Sequence, residues 1–303
     1  MTDTLDKKAS RRFFLQGLGS LSALALLHCA AGSDTADDSS SGSSSNGSTD
    51  TDTDTSTTTD GGTFTSDGAV SVSAMAVGSG AFLDGKDYGN PFTSDAAGTS
   101  CTVYKSATKG PCHSNTYQRK DVSDGLTGLP TRIEFLVVDS SCNPVADAIV
   151  EIWYASPAGT YSKAAEAIDN EADYNGSLSE LNVGFCTGNN AEAAASNWLR
   201  GFQKTDATGR VVIDGIFPGW YSGRAPHIHF VITASGHSTL MSQVLFDETL
   251  TTAIYTQHSA YKSRGDKDTT NARDNIGLGD AAAMSYAQQS DGAMVVWKKI
   301  TVS

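Results

Sequence analysis

The stretch PGWYSGRAPHIHF, residues 218–230, places two histidines at alternate positions behind a loop rich in glycine and proline. Side chains at positions i and i+2 of a β-strand point to the same face of the strand. We therefore expect His227 and His229 to project together, while Ile228 and Phe230 face the other way into apolar packing. This alternation predicts a strand with one polar, chemically capable face and one core face.

Short strands are also predicted on both sides of this stretch. Runs of β-branched and aromatic residues, separated by turn-forming clusters, predict at least six strands. These runs are RIEFLVVD (132–139), AIVEIWYA (148–155), GRVVIDGI (209–216), HIHFVITA (227–234), LMSQVLFD (240–247) and AMVVWKKITV (293–302). Helical patterns are few, with candidates at 191–199 and 280–288 and a short turn near 248–255. The sequence indicates an all-β fold, a β-sandwich with long loops and short helices.

Residues 1–29 have the features of an export signal. SRRFFLQ (10–16) places twin arginines before an apolar run that is too short for a permanent membrane span, which resembles a twin-arginine signal. The run ends at LLHCAAG, which resembles a lipoprotein cleavage box with Cys29 as the lipidated residue, although His28 stands where a small residue is usual. The alternative is that Cys29 is simply removed with the signal. We expect an exported protein, periplasmic or at the cell surface, that meets the membrane only through a lipid anchor.

Residues 30–62 are expected to be a disordered tether. The segment 33–62 holds seven aspartates, no basic residue and no aliphatic residue larger than alanine, so it cannot bury enough apolar surface to fold. Residues 1–29 carry a net charge of +2, so 63–303 carry −8 of the chain's total of −13. This acidity argues against a nucleic-acid partner. Residues 63–94 are expected to be an extended arm or linker, followed by one folded domain over 95–303.

Four cysteines lie beyond the export signal: Cys101, Cys112, Cys142 and Cys186. An even number of cysteines in an exported domain predicts two disulfides, for which three pairings are possible. No CxxC pair is present, which disfavours a metal site built from cysteines.

Two imidazoles on one strand face suit a metal ion, and two tyrosines lie where they could complete such a site. Tyr221 stands six residues before His227 in a glycine-flanked loop, and Tyr161 follows a predicted strand in SPAGTYS. Alternate histidines alone are more often ordinary core or surface residues. We expect ordinary packing at the edge of the sandwich for Tyr154, Tyr174, Tyr255 and Tyr261, and ordinary surface positions for His113, His237 and His258.

GTYS (159–162), together with RGFQKTDATGRVVIDGIFPGWYSGRAPHIHF (200–230), resembles the intradiol ring-cleavage dioxygenases, in particular their exported single-domain bacterial members. The resemblance runs from about residue 101 to the C-terminus, and its core motif, Gly-Trp-Tyr-x-Gly-Arg-x-x-His-x-His, is specific. It implies one non-haem Fe(III) per chain, bound by Tyr161, Tyr221, His227 and His229. A ferric ion favours anionic oxygen donors, and a coordinated cation removes the proton of a phenol whose pKa is otherwise about 10.

The same resemblance implies a catalytic domain over residues 95–303 and an oxidoreductase activity. Such an enzyme inserts dioxygen between the two hydroxyl-bearing carbons of a catechol-type aromatic to give a muconate-type dicarboxylic acid. Its partners are a small aromatic diol and dioxygen. Arg224 would stabilise negative charge developing on the ring, although a loop arginine is more often an ordinary surface residue. Gln243, fourteen residues after His229, matches a family glutamine and faces either the site or solvent.

Two departures from the family pattern concern substrate choice more than metal binding: Ser156 replaces a frequent acidic residue, and Cys112 follows Gly-Pro where an aromatic is frequent. The alternative function is a non-catalytic exported β-sandwich binding module, because VVDSSCNPVADAIVEIW (137–153) also resembles transthyretin-like modules. A zinc or copper site on the histidine pair is disfavoured, since no third histidine or carboxylate motif accompanies the pair. The particular catechol and the oligomeric state stay open.

Overall fold

The computed structural model describes residues 70–93, 101–114, 116–162 and 183–303, all within the unit Thr58–Ser303. The expected export signal with Cys29 and the expected tether over 30–62 lie outside the described residues. Within the described ranges, no helix is long and apolar enough to cross a membrane.

Eight strands and three short α-helices make up the regular structure of the described residues. The strands are β1 (Pro130–Val138), β2 (Ile149–Tyr154), β3 (Arg200–Lys204), β4 (Arg210–Ile216), β5 (His227–Thr233), β6 (Leu240–Leu245), β7 (Ser285–Gln288) and β8 (Met294–Thr301). The helices are α1 (Val183–Thr187), α2 (Ala191–Ala195) and α3 (Glu248–Gln257). The six strands predicted from the sequence are all present, and the all-β sandwich is confirmed.

The strands form two four-stranded sheets that enclose the core. The first sheet has the order β4-β1-β8-β7 and the second has the order β3-β2-β5-β6. Among the eight strands of the described ranges, the β1–β8 pair alone is parallel, and the other neighbouring pairs are antiparallel. Phe135 of β1 and Phe230 of β5 meet between the sheets with ring centroids 5.8 Å apart, and both are fully buried. Each such side chain contributes about 1.5–3 kcal/mol by its removal from water.

Residues 83–92 pack against the outer face of the first sheet. The Arg132 guanidinium donates hydrogen bonds to the backbone oxygens of Lys86 (2.8 Å) and Leu83 (3.1 Å), and it also pairs with Asp214 at 2.8 Å. Phe92 adds a buried apolar contact on this side. All nine residues of β1 are consequently buried on both faces of the sheet.

The outer face of the second sheet carries a row of four cross-strand neighbours. In the strand register, Arg200 of β3 is opposite Trp153 of β2, Trp153 is opposite His229 of β5, and His229 is opposite Gln243 of β6. Their chain neighbours, such as Ile228, belong to the core between the sheets. Because strand side chains alternate, this row faces away from the core.

Two local predictions differ from the structure, and strand β3 was not predicted. The helix expected at 280–288 is wrong: a 3₁₀ turn at Asp280–Ala282 leads into β7, whose pairing with β8 outweighs the helical propensity of the alanines. The turn expected near 248–255 is the ten-residue helix α3, whose N-terminus is capped by the Asp247 carboxylate accepting from Leu250 N–H at 2.8 Å. Strand β3 lacks a β-branched run and is stabilised by its pairing with β2.

Two disulfides join the four cysteines, as the count predicted. Cys101 is bonded to Cys142, and Cys112 is bonded to Cys186. The first bond packs beside the Phe92 cluster on the first sheet, and the second lies beside the outer face of the second sheet.

Candidate metal centre

The two histidines of β5 project side by side from the outer face of the second sheet. Their Nε2 atoms are 3.1 Å apart, and each residue is only 3% exposed. Strands β2 and β6 pair with β5 on either side, so the backbone of both histidines is fixed by the sheet. The His227 Nδ1 atom lies 2.6 Å from Ala225 O, which places the ring proton on Nδ1 and leaves Nε2 with its lone pair.

Two loop tyrosines bring their hydroxyl groups to the same point. The Oη atoms of Tyr161 and Tyr221 each lie 3.2 Å from His227 Nε2. Three polar atoms therefore surround one imidazole lone pair, which can accept only one hydrogen bond. This crowding of two phenol oxygens and two imidazole nitrogens fits a cation shared by all four residues.

Two glycines let the tyrosine loops pack backbone to backbone. Gly159, two residues before Tyr161, has a φ of +78°, and a Cβ there would collide with the Trp220 carbonyl oxygen. A Cβ at Gly219 would collide with the Ser156 carbonyl oxygen. The Ser156 hydroxyl lies 2.9 Å from Thr160 Oγ1 and supports this turn.

Two further tyrosines brace the loop that carries Tyr221. Tyr261 Oη donates to Phe217 O at 2.6 Å, and Tyr255 Oη donates to Pro218 O at 2.9 Å. Both residues have the packing role expected from the sequence, but in the core rather than at the edge of the sandwich. Their hydroxyl groups nevertheless satisfy loop carbonyls, so these core tyrosines also set the position of the site.

Burial controls the protonation of the four candidate ligands. Burial raises the pKa of the Tyr161 phenol well above its usual range, and the nearby Tyr221 raises it further. Burial also raises the pKa of Tyr221, against the opposing positive charge of Arg224. Burial and the charge of Arg224 lower the pKa of His227 to about 3, and burial followed by His227 lowers the pKa of His229 well below its usual value. Without a cation the site thus holds two neutral phenols and two neutral imidazoles.

Arg224 lies beside the tyrosines in a network of three side chains. Its Nε donates to Asp274 Oδ2 at 2.9 Å, its Nη2 donates to Gln243 Oε1 at 2.5 Å, and its Nη1 lies 3.4 Å from Tyr221 Oη. Asp274 is fixed in turn by the backbone N–H groups of Ala225 (2.7 Å) and Ile276 (3.0 Å). The structure therefore places Arg224 and Gln243 together on the site side of the second sheet.

A cavity of about 230 Å³ opens directly onto these groups. Its polar wall consists of Tyr161, Tyr221, Arg224 and His229. Its apolar wall includes Pro111, Phe185 and both cysteines of the Cys112–Cys186 disulfide. An engineered cavity of about 150 Å³ holds a benzene molecule, so this space accommodates one substituted aromatic ring.

The His229 ring lies between the Trp153 indole and the backbone at Gly110. The indole of Trp153 stacks on it with a centroid distance of 4.9 Å and an interplanar angle of 7°. On another side, a Cβ at Gly110 would lie 3.1 Å from His229 Cε1.

The expectation that His113 is an ordinary surface residue is wrong, because it is 8% exposed, lies edge-on to Trp153 and pairs with Glu151 at 2.9 Å. His258, also expected at the surface, is 2% exposed and lies 3.0 Å from Ala76 O.

Several residues around the site were not predicted from the sequence. Asp274 is separated from Arg224 by fifty residues, and no local pattern connects the two. In the sequence Trp153 is one aromatic residue of a predicted core strand. Its place beside the site follows from its pairing with His229 in the sheet. The number of cysteines predicts a disulfide for Cys112 but indicates neither its pairing with Cys186 nor its place in the cavity wall. Within the described residues, no group of three histidine, cysteine or acidic side chains forms a metal site.

Comparisons with known proteins identify the family and the fold of this chain. The sequence model of a family described as "Dioxygenase" matches residues 104–263, more than half of the chain. A hydroxyquinol 1,2-dioxygenase of Nocardioides simplex is 28% identical over 127 residues, which cover 42% of this chain and 40% of that protein. The solved structure of an intradiol ring-cleavage dioxygenase from Tetranychus urticae aligns with a TM-score of 0.54 at 24% identity and covers 67% of this chain and 95% of its own. The chain thus spans less than half the length of the curated relative, and the solved structure supports the shared fold alone.

Proposed function

This chain belongs to the intradiol ring-cleavage dioxygenase family, and from that premise we propose that it is a non-haem Fe(III)-dependent enzyme acting on a catechol-type aromatic. The reaction would insert dioxygen between the two hydroxyl-bearing carbons and yield a muconate-type dicarboxylic acid. The observation that carries the proposal is the convergence of two phenol oxygens and two imidazole nitrogens, with contacts of 3.1–3.2 Å, beside a cavity.

The four donors fit one ferric ion. Tyr161, Tyr221, His227 and His229 would hold it, and the bound ion would supply the charge that makes the substrate ring reactive toward dioxygen. Burial keeps both histidines neutral, which is the form that binds metals. Burial also disfavours free phenolates, so a highly charged cation is the natural partner that would draw off the two phenol protons. Zinc or copper would more commonly have a third histidine or a carboxylate.

The cavity favours a substrate with a single aromatic ring. Its volume of about 230 Å³ is below the range of about 300–1,000 Å³ usual for drug-sized ligands. The apolar wall formed by Pro111, Phe185 and the disulfide would contact the ring face and edge. The opposite wall would receive the two hydroxyl groups at the tyrosines and His229.

Arg224 and Gln243 would act on the substrate rather than on the metal. The Arg224 side chain borders the cavity and is 14% exposed, so its positive charge would stabilise negative charge on the ring with little screening by water. Asp274 and Gln243 hold its guanidinium in place. Gln243 Nε2 is buried and has no hydrogen-bond partner among the described residues, which leaves an N–H donor beside the site.

Oxygen consumption with simple and substituted catechols tests the proposal. We expect uptake of one dioxygen per diol and a product heavier than the substrate by the mass of one dioxygen molecule. If the iron-loaded protein consumes no oxygen with any catechol, the non-catalytic binding module becomes the better description.

We also propose that the protein is exported and anchored through Cys29. The proposal is supported by the twin-arginine sequence at 11–12, by the polar segment over 30–62 and by the two disulfides, which are typical of oxidising compartments.

A further inference from the structure

The Cys112–Cys186 disulfide is part of the cavity wall, so it is not a crosslink distant from the candidate site. Both cysteines line the cavity, and they are 5% and 4% exposed. They form one buried cluster with Trp153 and Tyr161, against which Tyr221 packs. The bond therefore contacts the same side chains that make up the candidate metal centre.

Tyr161 is the candidate ligand whose backbone depends most on this disulfide. His227 and His229 are held in β5 by ladders on both sides, whereas Tyr161 lies in a loop beyond the end of β2 at Tyr154. The Tyr161 N–H donates to Cys186 O at 2.7 Å. The phenol position 3.2 Å from His227 Nε2 thus rests on a loop contact to a disulfide cysteine.

A second connection runs from the other half of the disulfide through Arg200. The Arg200 guanidinium is 1% exposed and donates from Nη2 to Cys112 O at 3.1 Å. Its Nε donates to Ser162 Oγ at 3.0 Å, and its Nη2 also donates to the Ser162 carbonyl oxygen. Ser162 follows Tyr161 directly, so the disulfide holds Tyr161 from both sides: through Cys186 on its own N–H and through Cys112 and Arg200 on the next residue.

From these contacts we infer that the Cys112–Cys186 disulfide is a positioning element for the metal ligand Tyr161. Its role is to keep the phenol oxygen within reach of the histidine pair. The inference rests on the proposed iron site, because Tyr161 is a ligand only if that site binds a metal. It assigns the second disulfide, Cys101–Cys142, no part in the site, since that bond packs against the first sheet.

The chain itself offers a matched control. Cys112→Ala/Cys186→Ala removes the site disulfide, and Cys101→Ala/Cys142→Ala removes the other. The paired cysteines are 74 residues apart in the site disulfide and 41 residues apart in the other. The entropy of loop closure in the unfolded chain is therefore similar for the two bonds, and both double variants should lose comparable stability. The measurements are iron bound per chain, the rate of iron release to a chelator, and the energy of the visible absorption band. Far-ultraviolet circular dichroism establishes that each variant is folded.

The site variant should bind iron about 10-fold or more weakly and show a displaced visible band, as expected when support behind a metal ligand is removed. The control variant should match the parent in iron content and band energy. A third variant, Arg200→Gln, retains the disulfide but breaks its connection to Ser162. It should weaken iron binding and displace the visible band in the same direction as the site variant. If the site double variant does not fold, the iron affinity and band energy of Arg200→Gln test the inference.

Two different failures are distinguishable. A parent that binds iron, together with a folded site variant of unchanged affinity and spectrum, overturns the inference while leaving the proposed function intact. Equal losses in the two double variants also overturn it, because they would show a general stability effect. A colourless, iron-free parent overturns the proposed function, and the inference with it.

Discussion

Replacing Arg224 by alanine should lower activity and stability through two separable effects. The guanidinium contacts Asp274, Gln243 and Tyr221, and it borders the cavity where the substrate ring would lie. Loss of the positive charge removes electrostatic stabilisation of the reacting ring. Loss of the ion pair leaves the Asp274 carboxylate, whose side chain is 1% exposed, without its cationic partner.

The size of each effect follows from these contacts. Removing one preorganised donor at a reacting centre costs on the order of 10²-fold in turnover, or about 2.7 kcal/mol of transition-state stabilisation. Breaking a buried ion pair from one side costs about 3–5 kcal/mol of folding free energy. We expect the low end, about 3 kcal/mol, because Asp274 keeps the backbone donors of Ala225 and Ile276. Iron content and colour should stay near those of the parent, since Arg224 is not a proposed ligand.

Urea unfolding and oxygen uptake, measured on the same preparations, separate the two effects. In the double variant Arg224→Ala/Asp274→Asn the unpaired charge is removed, but the amide nitrogen cannot accept one of the two backbone N–H bonds, so stability should stay within about 1 kcal/mol of the single variant while turnover stays low. Arg224→Lys should recover turnover only in part, because a point charge does not reproduce the planar guanidinium. Full turnover in the alanine variant, or recovery of turnover together with stability in the double variant, would refute the reasoning.

Three further predictions concern other parts of the chain. Tyr221→Phe should weaken and shift the visible absorption of the iron-loaded protein, because phenylalanine offers no oxygen donor while Tyr161 still provides one; an unchanged spectrum counts against ligation by Tyr221. The metal-free protein should lose stability as the pH falls from about 6.5 towards 3, because His227, with its pKa lowered to about 3, and His229 take up protons on unfolding; urea titrations should show this slope flattened in His227→Asn/His229→Asn. Cys29→Ser should move the protein from the membrane fraction to the soluble fraction, and equal partitioning of parent and variant rejects lipid anchoring.

The sandwich and the grouping of the two histidines could be predicted because both depend on local alternation. Polar and apolar residues alternate around His227 and His229, so strand geometry alone places both histidines on one face. The neighbours of the pair could not be predicted in this way. The row of Arg200, Trp153, His229 and Gln243 exists only because β3, β2, β5 and β6 pair in one register, which long-range packing decides.

The burial of individual polar side chains could not be predicted from the sequence either. His113 stands in a polar segment that reads as exposed loop, yet Glu151 and Trp153 cover it in the folded domain. Tyr261 reads as a packing residue, and its hydroxyl contact with Phe217 O becomes visible only when the loop and the C-terminal segment are brought together. Such contacts join residues far apart in the chain, and no local periodicity encodes them.

Metal analysis combined with a visible absorption spectrum, both recorded on one sample of the purified protein, tests the central claim most directly. The account predicts about one iron per chain and a broad visible band from charge transfer between the tyrosine oxygens and ferric iron. It predicts this result because Tyr161 and Tyr221 place their oxygens within 3.2 Å of His227 Nε2 in a buried, neutral site. A folded, colourless protein that takes up zinc but no iron would contradict it.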